Sequence, residues 1–176
     1  MSDYGTYPEA GTVHMERLLP GPIERVWAFL TESEKRATWF ASGPMELHVG
    51  GKVELTFHLG GKGPTGEPAP ERFAKHAGHM LHAKVTRIEP PRLLSFTWGD
   101  AGDSEVTFKL APRGDEVLLV LTHRRLATRK DMLGVSGGWH VHLDALADRL
   151  AGGALRPFWS RLEQVSAEYD KRLPRD

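Results

Sequence analysis

The sequence predicts an α+β domain in which a sheet curls around a late helix with room left between them. Three features carry the prediction. Pro22-Ile23-Glu24-Arg25-Val26-Trp27-Ala28-Phe29-Leu30-Thr31 reads as a short apolar-periodic helix, and a second short segment then closes on Trp39-Phe40. A run of strand-like segments follows. Finally Gly137-Gly138-Trp139 opens a helix in which Trp139, Leu143, Leu146 and Leu150 recur at helical spacing.

Each element has its own signal. Residues 1–10 are polar and are expected to form a flexible N-terminal arm. Residues 12–19 read as a first strand, stopped by Pro20-Gly21-Pro22. Pro22 suits a helix start, where its missing N–H would lack a partner anyway. Ile23, Val26, Trp27 and Leu30 then share one face, and Glu24 complements the positive end of the helix dipole. A second short helix is expected over 34–40. Residues 45–49 and 52–59 read as a hairpin around Gly50-Gly51, with Val53, Leu55, Phe57 and Leu59 alternating inward. Gly60 to Pro70 is rich in glycine and proline and reads as a mobile loop that could gate a cavity. Strands are expected at 79–89, 93–98, around 106–110 and at 117–123, and an irregular basic connection over 124–134. A last helix at 157–172 places Phe158, Leu162, Val165 and Tyr169 on one face. The expected organisation is a single domain over 11–176, with 152–176 appended as a C-terminal helix.

Composition removes several function classes. At 176 residues, 40% apolar and 26% charged, the chain reads as one soluble globular domain. Lys+Arg and Asp+Glu both number 23, so no basic excess points to nucleic acid or an anionic membrane. With no cysteine, thiolate metal sites, disulfides and cysteine nucleophiles are excluded. No apolar run is long enough to insert in a membrane, and the first residues lack the pattern of a secretory signal. A cytoplasmic location is expected.

The ordered set Pro22-Ile23-Glu24-Arg25-Val26-Trp27, Trp39-Phe40, Gly50-Gly51-Lys52, Ile88-Glu89-Pro90-Pro91-Arg92-Leu93-Leu94-Ser95-Phe96-Thr97-Trp98, Leu121-Thr122-His123 and Gly138-Trp139 resembles a known family. It is that of the activator of Hsp90 ATPase homologue-1-like proteins (AHSA1-type), within the START / Bet v 1-like (SRPBCC) superfamily. The resemblance covers roughly residues 12–151. It implies a helix-grip fold: a curved antiparallel sheet wrapped around a long C-terminal helix, two short helices after the first strand, and an internal apolar cavity. The helix at 157–172 lies beyond the family's usual end. The eukaryotic activator engages the chaperone through a separate N-terminal domain, and ten residues hold nothing like it, so an Hsp90 interaction is not expected.

The candidate chemistry follows from what would face the cavity. Trp39, Phe40, Phe57, Phe96, Trp98, Phe108 and Trp139 fall on inward positions or element ends, and Leu143 and Leu146 continue the helix stripe. Such a lining suits a small hydrophobic or aromatic ligand, although the same rings would serve equally as core. His123 ends a strand on the inward parity of Leu119 and Leu121, and is the first polar candidate for the pocket. The other expectation for His123 is an imidazole satisfied within the protein. With His123 in the pocket, His123→Ala is expected to change affinity more than folding. His76, His79 and His82 are equally spaced, but strand geometry sends the last two to opposite faces, so no metal site is expected. Asp144 and Asp148 share a helix face that reads as solvent-facing. Arg124-Arg125 and Arg129-Lys130 form a local basic patch that reads as solvated loop. No nucleophile elbow and no phosphate loop is present, and no catalytic residue or cofactor is assigned.

The expected function is therefore sequestration or sensing of a small hydrophobic or aromatic molecule between the sheet and the helix at 138–151. A hydrolase or cyclase using the same cavity is one alternative. A ligand-free interaction module or chaperone accessory is another, with the last helix as the contact for a homodimer.

Overall fold

A computed structural model describes residues 3–57, 80–99 and 102–174. The elements run β1 (Val13–Pro20), α1 (Ile23–Thr31), α2 (Ser33–Arg36), β2 (Lys52–Thr56), β3 (Met80–Glu89), β4 (Leu93–Trp98), β5 (Ser104–Arg113), β6 (Glu116–Arg124), α3 (Arg129–Ala151) and α4 (Phe158–Arg172). The strands form one antiparallel six-stranded sheet in the order β1-β6-β5-β4-β3-β2. The sheet curves over α3, which is the expected helix-grip architecture. The expected gating loop at 60–70, together with His76 and His79, lies outside the described residues.

Alternation within the strands decides which face meets the helix. Val13, Met15 and Leu19 on β1 and Val117, Leu119 and Leu121 on β6 are buried on the inner face. In α1, Val26 and Leu30 carry the buried stripe, and Ile23 and Trp27 pack at its edge. Arg25 closes the other end of the grip, donating from Nη1 to the Leu150 carbonyl at 2.8 Å near the C-terminus of α3.

Helix α2 is shorter than its apolar pattern suggests. It ends at Arg36, whose buried guanidinium donates to the carbonyls of Leu30, Thr31, Ala41 and Gly43. These bonds fix the turn that aims Trp39 and Phe40 inward. The hairpin arm expected at 45–49 is reduced to one isolated bridge, Met45 with Val53, and a second bridge pairs Ser42 with Thr56 just before it.

One expectation is corrected at the start of the long helix. The irregular connection expected over 124–134 ends early, because α3 begins at Arg129. Thr128 caps it, its hydroxyl accepting from the Asp131 amide at 3.0 Å. The helix stops at Gly152, whose φ of 73° suits a residue without Cβ.

The segment expected as a loose N-terminal arm is instead held down. Thr6 pairs with His14 through two backbone bonds of 2.8 and 2.9 Å. The Gly5 amide donates to the Tyr169 hydroxyl at 2.8 Å, and the Tyr7 and Ser136 hydroxyls share a 2.9 Å bond. The Arg172 guanidinium lies 4.3 Å from the centre of the Tyr4 ring. Two tyrosines supply the anchoring that a polar composition concealed.

Helix α4 packs on α3 rather than offering its apolar stripe outward. Phe158, Trp159, Val165 and Tyr169 are buried within this chain. The contact depends on Gly137, where a Cβ would come within 2.8 Å of Ser166 Oγ and 3.3 Å of a Leu162 methyl. The face expected to make a dimer contact is thus already covered.

Candidate functional site

A pocket of about 710 Å³ opens beside α3. The sheet contributes Leu81 and Trp98, the chain flanking it Phe40 and Phe57, α3 contributes Trp139 and His142, and α4 contributes Phe158, Trp159 and Leu162. Asp103, Arg125, Lys130 and Asp131 stand exposed around the mouth. The space therefore lies toward the first half of α3 and is walled by α4, a contribution the sequence reading did not foresee.

Phe40 is the hub of the aromatic lining. Its ring centre lies 4.9 Å from that of Trp139, 5.1 Å from Phe57 and 6.2 Å from Trp98. Gly134 and Gly138, one helical turn apart on α3, both line the pocket, and a Cβ at either would meet nothing within 4 Å. Each interior glycine costs a helix about 1 kcal/mol relative to alanine. Here that cost leaves open volume.

The sequence-predicted residues divide into two groups. Phe40, Phe57, Trp98 and Trp139 come together in the pocket wall. Trp39, Phe96, Phe108, Leu143 and Leu146 are buried in the core behind it. Trp39, Phe96 and Phe108 border a second void of about 10 Å³, to which Phe40 also contributes.

His123 does face inward, but it is fully buried and does not line the pocket. Trp139 Nε1–H, which can only donate, reaches His123 Nδ1 at 3.0 Å. Nδ1 must accept, so Nε2 carries the proton and donates to Ser104 Oγ at 3.0 Å. Ser104 in turn donates to the Trp98 carbonyl at 3.2 Å. The chain leaves His123 no free position, and burial lowers its pKa to about 4.

His142 is the imidazole that lines the pocket. A carbonyl only accepts, so its Nδ1 carries the proton and donates to the Trp39 oxygen at 2.9 Å. Its ring centre lies 5.1 Å from both Phe40 and Phe158. Burial lowers its pKa to about 4, and the Trp39 bond opposes that shift. The ring is therefore neutral at pH 7, with Nε2 as a lone-pair acceptor. The signal for it was available: His142 lies three residues after Trp139, and so on the same helix face.

Asp144 corrects the expected solvent face. It is buried, with Arg161 Nη2 at 3.1 Å, Arg17 and Arg156 at 3.6 Å, and His140 Nε2 at 3.7 Å. His140 Nδ1 and the Tyr169 hydroxyl share a 2.8 Å hydrogen bond, and that hydroxyl accepts from the Gly5 amide. This cluster ties the N-terminal segment, β1, α3 and α4 together behind the pocket. Among the described residues, no group of three histidine, aspartate or glutamate side chains could hold a metal ion. No described helix is long and apolar enough to cross a membrane.

The fold and the pocket define a helix-grip protein with a concave aromatic site. The chain belongs to the family described as activator of Hsp90 ATPase homolog 1-like protein, whose match spans residues 20–151. No functionally curated protein matches it. It is similar to the solution structure of the BPP1335 protein from Bordetella parapertussis, at 45% identity and a TM-score of 0.83, over 99% of this chain and 92% of that one. It is also similar to CalU16 from Micromonospora echinospora, at 24% identity and a TM-score of 0.65, over 92% of this chain and 87% of that one. The Aha1 dimer from Colwellia psychrerythraea shares the fold at 17% identity and a TM-score of 0.60, over 79% of this chain and 95% of that one.

Proposed function

We propose that the protein binds a small apolar or aromatic molecule in the pocket between the sheet, α3 and α4, and so sequesters or senses it. The observation that carries this reading is about 710 Å³ of aromatic-walled space, bordered by Gly134 and Gly138, where a Cβ would meet nothing within 4 Å. That volume falls within the range of roughly 300–1,000 Å³ common to small-molecule sites. Burial of apolar surface would supply the affinity, at about 25 cal/mol per Å² removed from water. A cytoplasmic setting belongs to the same reading, supported by the absence of cysteine.

The test is a thermal-shift screen of lipids and aromatic metabolites against the wild type and Gly138→Leu, whose side chain would project into the pocket. The reading predicts compounds that stabilise the wild type and not the variant. Compounds that stabilise both equally would place binding elsewhere and contradict it.

A further inference from the structure

Three polar groups at the inner wall of the pocket bear on what it can recognise. Trp139 Nε1–H is spent on His123. Ser104 Oγ accepts from His123 and donates to the Trp98 carbonyl, so its proton and one lone pair are committed. His142 differs. Its Nδ1–H is spent on the Trp39 carbonyl, whereas Nε2 makes no hydrogen bond to any described residue. The Nε2 lone pair therefore faces the pocket without a donor among the described residues, and a donor on a ligand would fill it.

Among the described residues, Asp103 and Asp131 at the mouth oppose Arg125 and Lys130, two charges of each sign. The described interior offers a more specific signal.

We infer that the ligand is a small aromatic molecule carrying a hydroxyl or N–H donor, and that Nε2 of His142 accepts its hydrogen bond. The inference rests on the proposed pocket function and names the class of molecule that function would take. An ether or ketone of the same shape offers only lone pairs to Nε2, and leaves that nitrogen unpaired on binding. A phenol-type ligand satisfies it, while its ring stacks among Phe40, Trp98 and Phe158.

The test uses 2-naphthol and 2-methoxynaphthalene, which share an aromatic body and differ in the donor. Affinities are measured by calorimetry on the wild type, on His142→Asn and on Gly138→Leu. An asparagine amide can still donate to the Trp39 carbonyl but cannot replace the Nε2 acceptor. The wild type is expected to prefer 2-naphthol by about tenfold. In His142→Asn the two probes should bind within about twofold of one another, at the affinity of the ether. The ¹⁵N resonance of His142 Nε2 should move upfield on saturation with 2-naphthol, and not with the ether. Equal wild-type affinities, or a preference that survives His142→Asn, would overturn the inference and leave the pocket reading intact. Failure of both probes to bind the wild type, or undiminished binding to Gly138→Leu, would overturn both.

Discussion

The indole N–H of Trp139 on α3 donates to Nδ1 of His123 on β6 across 3.0 Å, and so bolts the long helix to the sheet. The bond sets the His123 tautomer, and through Ser104 it ties the ends of β4 and β5 to the same point. Trp139 then presents its remaining ring surface to the pocket. Both ring nitrogens of His123 are committed within the protein, so its removal is expected to alter folding more than affinity.

His123→Ala should therefore lower unfolding free energy by about 2–4 kcal/mol, because it leaves a cavity, strands the Trp139 N–H and removes the donor to Ser104 Oγ. Urea denaturation followed by tryptophan fluorescence measures this. A loss below about 0.5 kcal/mol would show that the bolt carries no weight.

Gly138→Ala should act in the opposite direction. The site has open space for a methyl group, and alanine is the better helix former. A gain of about 0.5–1 kcal/mol is expected in the same denaturation experiment. Gly137→Ala is the contrasting control and should destabilise, since its Cβ would meet Ser166 and Leu162.

Acid should weaken the fold through its buried imidazoles. His123 and His142 have folded pKa values of about 4, below the ordinary 6.5. Above pH 6.5 both states of each ring are neutral, and the groups do not affect stability. As pH falls from 6.5 to 4 the unfolded chain takes up protons that the folded one refuses, so stability is lost, and below 4 the effect levels off. Each ring contributes a slope of up to about 1.4 kcal/mol per pH unit. His140 is lowered in the same way by burial, with Asp144 opposing the shift. Denaturation midpoints at pH 7 and pH 5 should differ clearly in the wild type, and less in His142→Asn. Identical midpoints in the wild type would contradict the neutral assignment.

Asp144→Ala should be among the most damaging changes on α3. It would leave Arg17 charged and buried, with Arg161 and His140 deprived of their shared acceptor. Breaking a buried pair from one side costs about 3–5 kcal/mol. Chemical denaturation checks the size, and amide exchange at Thr6 and His14 should show the N-terminal segment loosening with it.

The sheet was legible in the sequence because alternation is a local signal: Leu94 with Phe96, and Leu119 with Leu121, declare their inward face without knowledge of the partner strand. The stripe of Trp139, Leu143, Leu146 and Leu150 was legible for the same reason. The first turns of α3 were hidden because glycine has low helix propensity, so the helix was expected to open only at Gly137-Gly138, whereas here Gly134, Gly137 and Gly138 make room for a pocket and for α4. The division of the aromatics could not be read from parity. Phe96 and Trp98 share a face of β4, but only Trp98, at the strand end, reaches the open space. Asp144 looked solvated because nothing local announces that β1 carries an inward-facing Arg17 to meet it. His142 was passed over for His123, since a strand residue beside apolar neighbours is conspicuous and a ring hidden on a polar-looking helix is not.

The central claim is an occupied space between α3, α4 and the sheet, and the tryptophan indoles report on it directly. Titration of ¹⁵N-labelled protein with 2-naphthol should give saturable shifts of the Trp98, Trp139 and Trp159 indole signals, leave the distant Trp27 unmoved, and give none of these in Gly138→Leu. Shifts absent at saturating ligand, or centred on Trp27, would contradict the account.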